Sequence, residues 1–473
     1  MTTLTAIAGL LLMWCCGAAL LACAGVVTRR RFDAALLFAY GLPLGWIALV
    51  ALMRLLSFAD VPFSLLNVGL PLLLFTAFGA IWVPTRLRAI SLDWGGGATW
   101  NAMPNWARVV WWGLLALLAA RGFQLLLEIL WRPTFGWDAW THWSTKAKVW
   151  YELGRIVPFG TALQVLEGSA AYTDANPHYP AALPLLQVWM ALCAGGWEDT
   201  LVNLPSLGLA LALGLGTYTQ LRAAKAGPLF AMGVCYLLLS LPFVNVHVAL
   251  PGYADLPLAV FVGLASMAYW RWTVERDRAQ LVLALVLALA GPMIKTPGWI
   301  WLGLLLPATL PVLWGRLGWR VLLLFASGAA LLLFFLAHYH PRVLGYELHT
   351  SFHPVWRPLL DALLHFGNWH LLWYLTPVLL LLRWRDLALP RLAGLTVFLA
   401  GGFTFLFVVF FFSNASLWVV DLSTVNRALL HLVPTLVFFE ALLCLGWRQS
   451  FAPIPPAPPA QETAPAPPND RPQ

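Results

Sequence analysis

Apolar runs near twenty residues recur along this chain from its first decade to about residue 446, separated by short basic clusters and one long polar loop. A bilayer span needs roughly 20 apolar residues, so the pattern predicts an all-α, polytopic transmembrane protein of about 12–14 spans. Candidate spans lie at 3–27, 33–56, 62–83, 107–130, 179–196, 200–221, 226–246, 253–272, 279–294, 297–314, 319–338, 366–383, 391–411 and 425–446.

The basic clusters set an orientation. Arg29 to Arg31, Arg86 and Arg88, Arg271 to Arg278, Arg316 and Arg320, Arg383 and Arg385, and Arg448 are expected on the cytoplasmic side. The loops at 131–178, 247–252, 339–365 and 412–424 then fall outside. One conflict remains, because Arg222 and Lys225 would be inside with two candidate spans between them and the 131–178 loop. Pro180, Pro184 and the Gly195-Gly196 pair make 179–196 the better candidate for a partial or tilted element.

Composition agrees with that class: 61% of residues are hydrophobic and 10% charged. The net charge of +8 gathers at span ends, which is orientation chemistry and excludes a nucleic-acid site. The six cysteines lie in apolar stretches without metal-type spacing and read as buried thiols. Leu20-Leu21-Ala22-Cys23 loosely resembles a lipoprotein cleavage box, but no basic residue precedes it and Arg29 to Arg31 follow. The segment therefore reads as a first transmembrane helix. Residues 1–83 read as accessory helices, 84–106 with Gly95-Gly96-Gly97 as a cytoplasmic linker, and 107–446 as the working module. Residues 447–473, Pro/Ala-rich from Ala452, read as a disordered cytoplasmic tail.

The polar loop reads FGWDAWTHWSTKAKVW and returns to the membrane as TDANPHYP. If it turns helical after Gly136, Asp138, His142 and Lys146 share one face, with Trp140, Trp143, Ala147 and Trp150 on the other. Such a helix is expected to lie flat in the membrane interface, where indole rings prefer to sit. Its polar face would then meet the headgroup level, although an anchor with solvated charges has the same pattern. Asp174 and His178 form a second polar cluster at that level.

These residues carry a resemblance. GWDAWTHWSTKAKVWYELG, NPHYPAALPLLQVWMAL, GYADLPLAVFVGLA and the lysine of GPMIKTPGWIWL, in that order, resemble the GT-C superfamily of integral-membrane glycosyltransferases. The similarity covers about 107–446 and is strongest to bacterial relatives of protein mannosyltransferases and aminoarabinose transferases. It implies a GT-C-like fold with interfacial helices in a large external loop. It also implies a polyprenyl-phosphate sugar donor, a lipid, glycan or protein acceptor, and an active site on the periplasmic face of the bacterial inner membrane. The implied catalytic carboxylate of the first large external loop falls on Asp138, with Asp174 in reserve. Residue chemistry agrees, since desolvation beside a Trp-lined surface makes a carboxylate a better general base. A phosphate leaving group needs charge stabilisation more than protonation, so one base suffices and inversion is expected. Related oligosaccharyltransferases use a metal with a paired acidic motif, whereas this loop offers a single Asp in GWDAW. No cofactor is called for, and a divalent metal is allowed.

Intramembrane basic residues are functional suspects because burying them is costly. Lys295 interrupts an apolar stretch too long for one span, beside Pro297 and Gly298. Arg427 and His431 are four residues apart at the external end of the last span, on one helical face. Snorkelling to the interface is the alternative account of each cation, and weighs less for Lys295 than for Arg427. Asp255 begins a span and suits a helix cap; the resemblance also places it in the catalytic cavity. His142, Lys146, His178 and Tyr179 complete the candidate substrate contacts. Arg121, Glu128 and Glu440 read as structural pairing between helices.

Two other classes share these features. The pairs Asp138/His142 and Asp174/His178, with histidines at 338, 340, 349, 353, 365 and 370, offer ligands for zinc and hence a metal-dependent membrane-surface hydrolase, though no HExxH spacing is present. A lipid-linked sugar transporter or flippase would also show intramembrane charges, but no internal repeat is visible and the polar residues gather toward one membrane face.

Overall fold

The computed structural model describes residues 2–28, 33–86, 100–343 and 346–450. Arg29 to Arg31, Arg88, the Gly95-Gly96-Gly97 stretch and the Pro/Ala-rich tail lie outside the described residues.

The described chain is of the all-α class, with one short hairpin its only sheet among the described residues. Helices α1 (Thr2–Val27), α2 (Ala34–Phe58), α3 (Leu65–Arg86) and α4 (Asn105–Trp131) lead to the polar loop, which holds α5 (Thr145–Leu153) and α6 (Ala162–Leu166). There follow α7 (Ala182–Ala194), α8 (Pro205–Ala223), α9 (Pro228–Leu239), α10 (Pro242–Ala249), α11 (Asp255–Glu275), α12 (Arg278–Ile294) and α13 (Gly298–Ala337). A hairpin of β1 (Arg342–Val343) and β2 (Tyr346–Glu347) precedes α14 (Trp356–Leu360), α15 (Leu372–Leu382) and α16 (Pro390–Phe411). The chain closes with α17 (Ser416–Val420), α18 (Val425–Leu430) and α19 (Val433–Ser450).

Among the described residues, seven helices are long and apolar enough to cross a bilayer, and eight if α9 and α10, bent by 62° at their junction, form one broken span. The chain is therefore a multi-pass membrane protein. Four shorter apolar helices, among them α7 and α12, occupy other candidate span positions. At 13 residues α7 is about 20 Å long, short of a hydrocarbon core of roughly 30 Å, so 179–196 is a partial element. Gly315, with φ 52° and ψ −124°, breaks α13 into two arms at a backbone conformation that suits glycine, between the two spans expected there.

Small residues let the first helices approach closely. A Cβ at Gly17 would lie 1.9 Å from the Gly41 carbonyl oxygen, and one at Gly45 2.0 Å from that of Met13, so α1 and α2 cross backbone to backbone. This pair is tied to the rest of the bundle by polar side chains. Trp46 Nε1 donates to Ala182 O at 3.0 Å, Tyr40 Oη to Leu264 O at 3.0 Å, and Trp189 Nε1 to Gly9 O at 3.2 Å. At the centre stands α11, whose residues from Asp255 to Trp270 are all buried.

Candidate functional site

Asp255 opens α11 at the end of the bundle that receives the polar loop. It does not cap the helix, as its position suggests: Ala254 is the N-cap and no side chain bonds there. Instead its two oxygens collect three distant cations or donors. Lys295 Nζ lies 2.5 Å from Oδ1, His431 Nε2 3.1 Å from the same atom, and Arg427 Nε 2.9 Å from Oδ2. A fully buried carboxylate demands this degree of pairing, because burying it alone is prohibitive.

The local sequence explains how each partner arrives. Pro292 and the Thr296-Pro297-Gly298 break end α12 at Ile294, leaving Lys295 extended at the C-cap with its ammonium turned inward. Arg427 lies in the single turn α18 and His431 follows it, so their four-residue spacing puts both on Asp255. Neither Lys295 nor Arg427 snorkels away from the bundle. His431 Nδ1 is buried with no hydrogen-bond partner.

Arg427 reaches further, donating from Nη2 to Asp138 Oδ2 at 2.5 Å. It thus joins the polar loop to α11, with its guanidinium carbon 4.6 Å from the centre of the Tyr253 ring. Asp255 is sealed at 1% side-chain exposure, whereas Asp138 and Arg427 keep 23% and 21%. The cluster is therefore deep at one end and open at the other.

The loop helix differs from expectation. Residues Ala139–Ser144 form a π-helical turn. The single polar face is divided by its partners: Asp138 pairs with Arg427, and His142 and Lys146 with Asp174. His142 and Lys146 are buried around Asp174: His142 Nδ1 lies 2.5 Å from Oδ1, Lys146 Nζ 2.8 Å from Oδ2, and the Asn176 N–H donates to Oδ1 at 2.8 Å. Lys146 also donates to the carbonyls of Asn176 at 2.9 Å and Pro177 at 3.2 Å, pinning the loop's return to its start. Burial alone pushes the Asp174 carboxyl up, but Lys146, the Asn176 N–H and His142 together hold it below its ordinary value. Burial lowers the Lys146 ammonium against the pull of Asp174.

The tryptophan face is corrected as well. Only Trp137 and Trp140 point outward, at 72% and 49% exposure; Trp143, Ala147 and Trp150 are sealed inside, where α5 packs on α7. Trp143 stacks on Tyr179 with ring centres 5.1 Å apart, and the His142 and His178 rings stand edge-on to the same tyrosine at 5.3 and 5.6 Å. Tyr179 also feels the charges of Asp138, Arg427 and Asp255, so it sits between the two clusters; burial pushes its hydroxyl up to about 12.

The expected pairs Asp138/His142 and Asp174/His178 do not form, since Asp138 turns to Arg427, and Asp174 to His142 and Lys146. His365 pairs with Asp361 and His370 with the Ser240 carbonyl. Arg121 bonds Asn245 across helices at 2.9 Å, and Glu440 accepts from Thr376. Sequence reasoning missed two tyrosines: Tyr253, whose place two residues before Asp255 was a usable signal, and Tyr346 of β2, which feels the Asp255 charge from the hairpin and carries no local signal.

Fold and site define a polytopic, all-helical membrane protein with a charge cluster gathered from four distant segments. No protein-family model matches the chain, and neither a curated protein nor a solved structure matches it significantly.

Proposed function

We propose that the chain is a membrane glycosyltransferase of the GT-C type, moving a sugar from a polyprenyl-phosphate donor to an extracytoplasmic acceptor with inversion. The observation that carries this reading is Arg427 spanning Asp138 and Asp255 at the open edge of a buried cluster. Two carboxylates face Arg427 and Lys295, so an arriving phosphodiester is a third anion that competes with Asp138 for the guanidinium. Phosphate binding would draw Arg427 off Asp138 and free its carboxylate beside the anomeric carbon. Asp138 then takes the acceptor hydroxyl's proton as that oxygen attacks; the bond from the anomeric carbon to phosphate oxygen breaks, and polyprenyl phosphate leaves with its charge met by Arg427 and Lys295. Asp255 positions both cations. His142, Lys146 and Asp174 shape the loop rather than touch substrate, and His178 and Tyr179 line its return. The membrane would be a bacterial inner membrane, as the resemblance implies, and the arginine distribution supports a site on its external face.

The test uses the purified protein in liposomes with radiolabelled polyprenyl phosphosugars and candidate lipid, glycan and peptide acceptors. Wild type should form labelled product, and Asp138→Asn should lose about 10²–10⁴-fold in rate. Equal rates would remove Asp138 as the base. Failure of every polyprenyl donor, passage of intact donor across sealed vesicles without a new bond, or zinc-dependent release of free sugar would each sink the glycosyltransferase reading.

A further inference from the structure

The external hairpin carries a third cluster that the proposed chemistry does not use. Its antiparallel register pairs Arg342 with Glu347 and Val343 with Tyr346. The strand continues to Leu348, which bridges Ser413, and His349 donates its N–H to Phe412 O at 2.7 Å. The far end of α16 therefore clamps the backbone from Glu347 to His349. His340, just before β1, has φ +49°, a left-handed conformation uncommon for a side-chain residue. That turn brings its imidazole back over the hairpin, with Nδ1 2.9 Å from Nδ1 of His349.

One nitrogen and one oxygen chemistry thus converge. Ligand atoms of His340, Glu347 and His349 all lie within 4.8 Å of one another, the only such group among the described residues. A tetrahedral zinc ion with Zn–N bonds of about 2.0–2.1 Å holds its nitrogens about 3.3 Å apart, so the two rings need part by only about 0.4 Å to admit it. Two imidazoles and a carboxylate are a donor set suited to zinc and unsuited to calcium or magnesium, which prefer oxygen.

We propose that His340 Nδ1, His349 Nδ1 and the Glu347 carboxylate form a site for a zinc-class divalent ion that pins the hairpin over the charge cluster. The fourth position falls to water or to His353, whose ring centre is 5.9 Å from that of His349. Arg342, 3.4 Å from Glu347 Oε2 in the hairpin, is the cation that the metal would displace. The site bears on function through Tyr346, adjacent to Glu347, which lies in electrostatic reach of Asp255 and Tyr179.

The full-length protein in detergent, stripped by a chelator, would be titrated with zinc against a competing indicator. The titration contains no sugar donor, so its result is independent of the glycosyltransferase reading. One equivalent should bind to wild type. The double variant His340→Ala/His349→Ala should lose it, and Glu347→Gln, which removes one exposed-edge charge without altering size, should weaken it at least tenfold. His365→Ala should bind as wild type does. Zinc should also slow amide exchange across residues 346–353. Absence of stoichiometric binding, or a double variant that binds like wild type while eluting as the same monodisperse species, overturns the site. Binding with unchanged exchange overturns the pinning.

Discussion

Arg427 holds Asp138 and Asp255 at once, 2.5 Å from Oδ2 of one and 2.9 Å from Oδ2 of the other, through nitrogens on a single planar group. The two carboxylates come from a loop and from the first turn of α11. Only a fork with fixed nitrogen geometry spans them, and a lysine offers a point charge instead. On the proposed mechanism, Arg427→Lys should therefore fold but transfer sugar about 10²–10³-fold more slowly, because a displaced cation would stabilise a leaving phosphate poorly. Transfer rates of folded, monodisperse variant and wild type check this, and a lysine variant within a few fold of wild type would contradict it.

Asp255 makes the opposite division between stability and rate. It is fully buried and is the common partner of Lys295, Arg427 and His431. Asp255→Ala leaves Lys295 and His431 without their carboxylate and Arg427 with Asp138 alone, and should cost about 3–5 kcal/mol, read as a large drop in the thermal midpoint in detergent. A midpoint equal to wild type would show that the cations are hydrated rather than paired.

The parts of this site that were legible in sequence are those that contradict their surroundings. Lys295, Arg427 and His431 stand out because apolar runs seldom carry such residues, and Asp138 because it interrupts a tryptophan-rich loop. The partners were not legible. Asp255 suited a helix cap on local grounds, and the donors that claim it are 40, 172 and 176 residues away in the chain. The loop helix shows a related limit. Its periodicity was readable, but each face carries buried residues, His142 and Lys146 on one and Trp143, Ala147 and Trp150 on the other, so the period did not say which side faces outward, and the π turn at Ala139–Ser144 has no simple sequence mark.

Tyr253 supplies a cation–π face to Arg427 at 4.6 Å. A ring contact of this kind is worth about 0.5–2 kcal/mol, or roughly 2- to 30-fold in rate if it holds the guanidinium in its working position. On the proposed mechanism, Tyr253→Leu should show that loss in transfer rate, and Tyr253→Phe should restore most of it because the ring face remains. If phenylalanine fails as badly as leucine, the hydroxyl rather than the ring is what matters.

The α1–α2 crossing predicts a steric effect outside the charge cluster. At Gly45 a Cβ would lie 2.0 Å from a backbone oxygen, which has no rotamer with which to yield. Gly45→Val should therefore force the helices apart and cost about 1–3 kcal/mol or more, lowering the thermal midpoint. Gly113, with open space around its Cβ position, is the control: Gly113→Ala should leave the midpoint unchanged or raise it slightly.

The Asp174 cluster makes stability depend on pH in a definite sense. Its carboxyl is held below the ordinary value of 3.8 by Lys146, the Asn176 N–H and His142 against the opposing effect of burial. The folded state therefore favours the ionised form relative to the unfolded chain. That contribution is complete above the unfolded value and is lost as the pH falls below it through the folded value. Asp174→Asn lacks it at every pH and also leaves the Lys146 ammonium buried without its carboxylate, so at neutral pH the variant should melt well below wild type. As the pH is lowered past about 4, the wild-type midpoint should fall toward that of the variant and the gap should narrow. Intrinsic tryptophan fluorescence follows both melts, helped by Trp143 and Trp150 buried in the same loop helix. A gap that stays constant from neutral pH down to the acid limit would mean that Asp174 titrates alike in the folded and unfolded chains, and that the loop is not held by its charge.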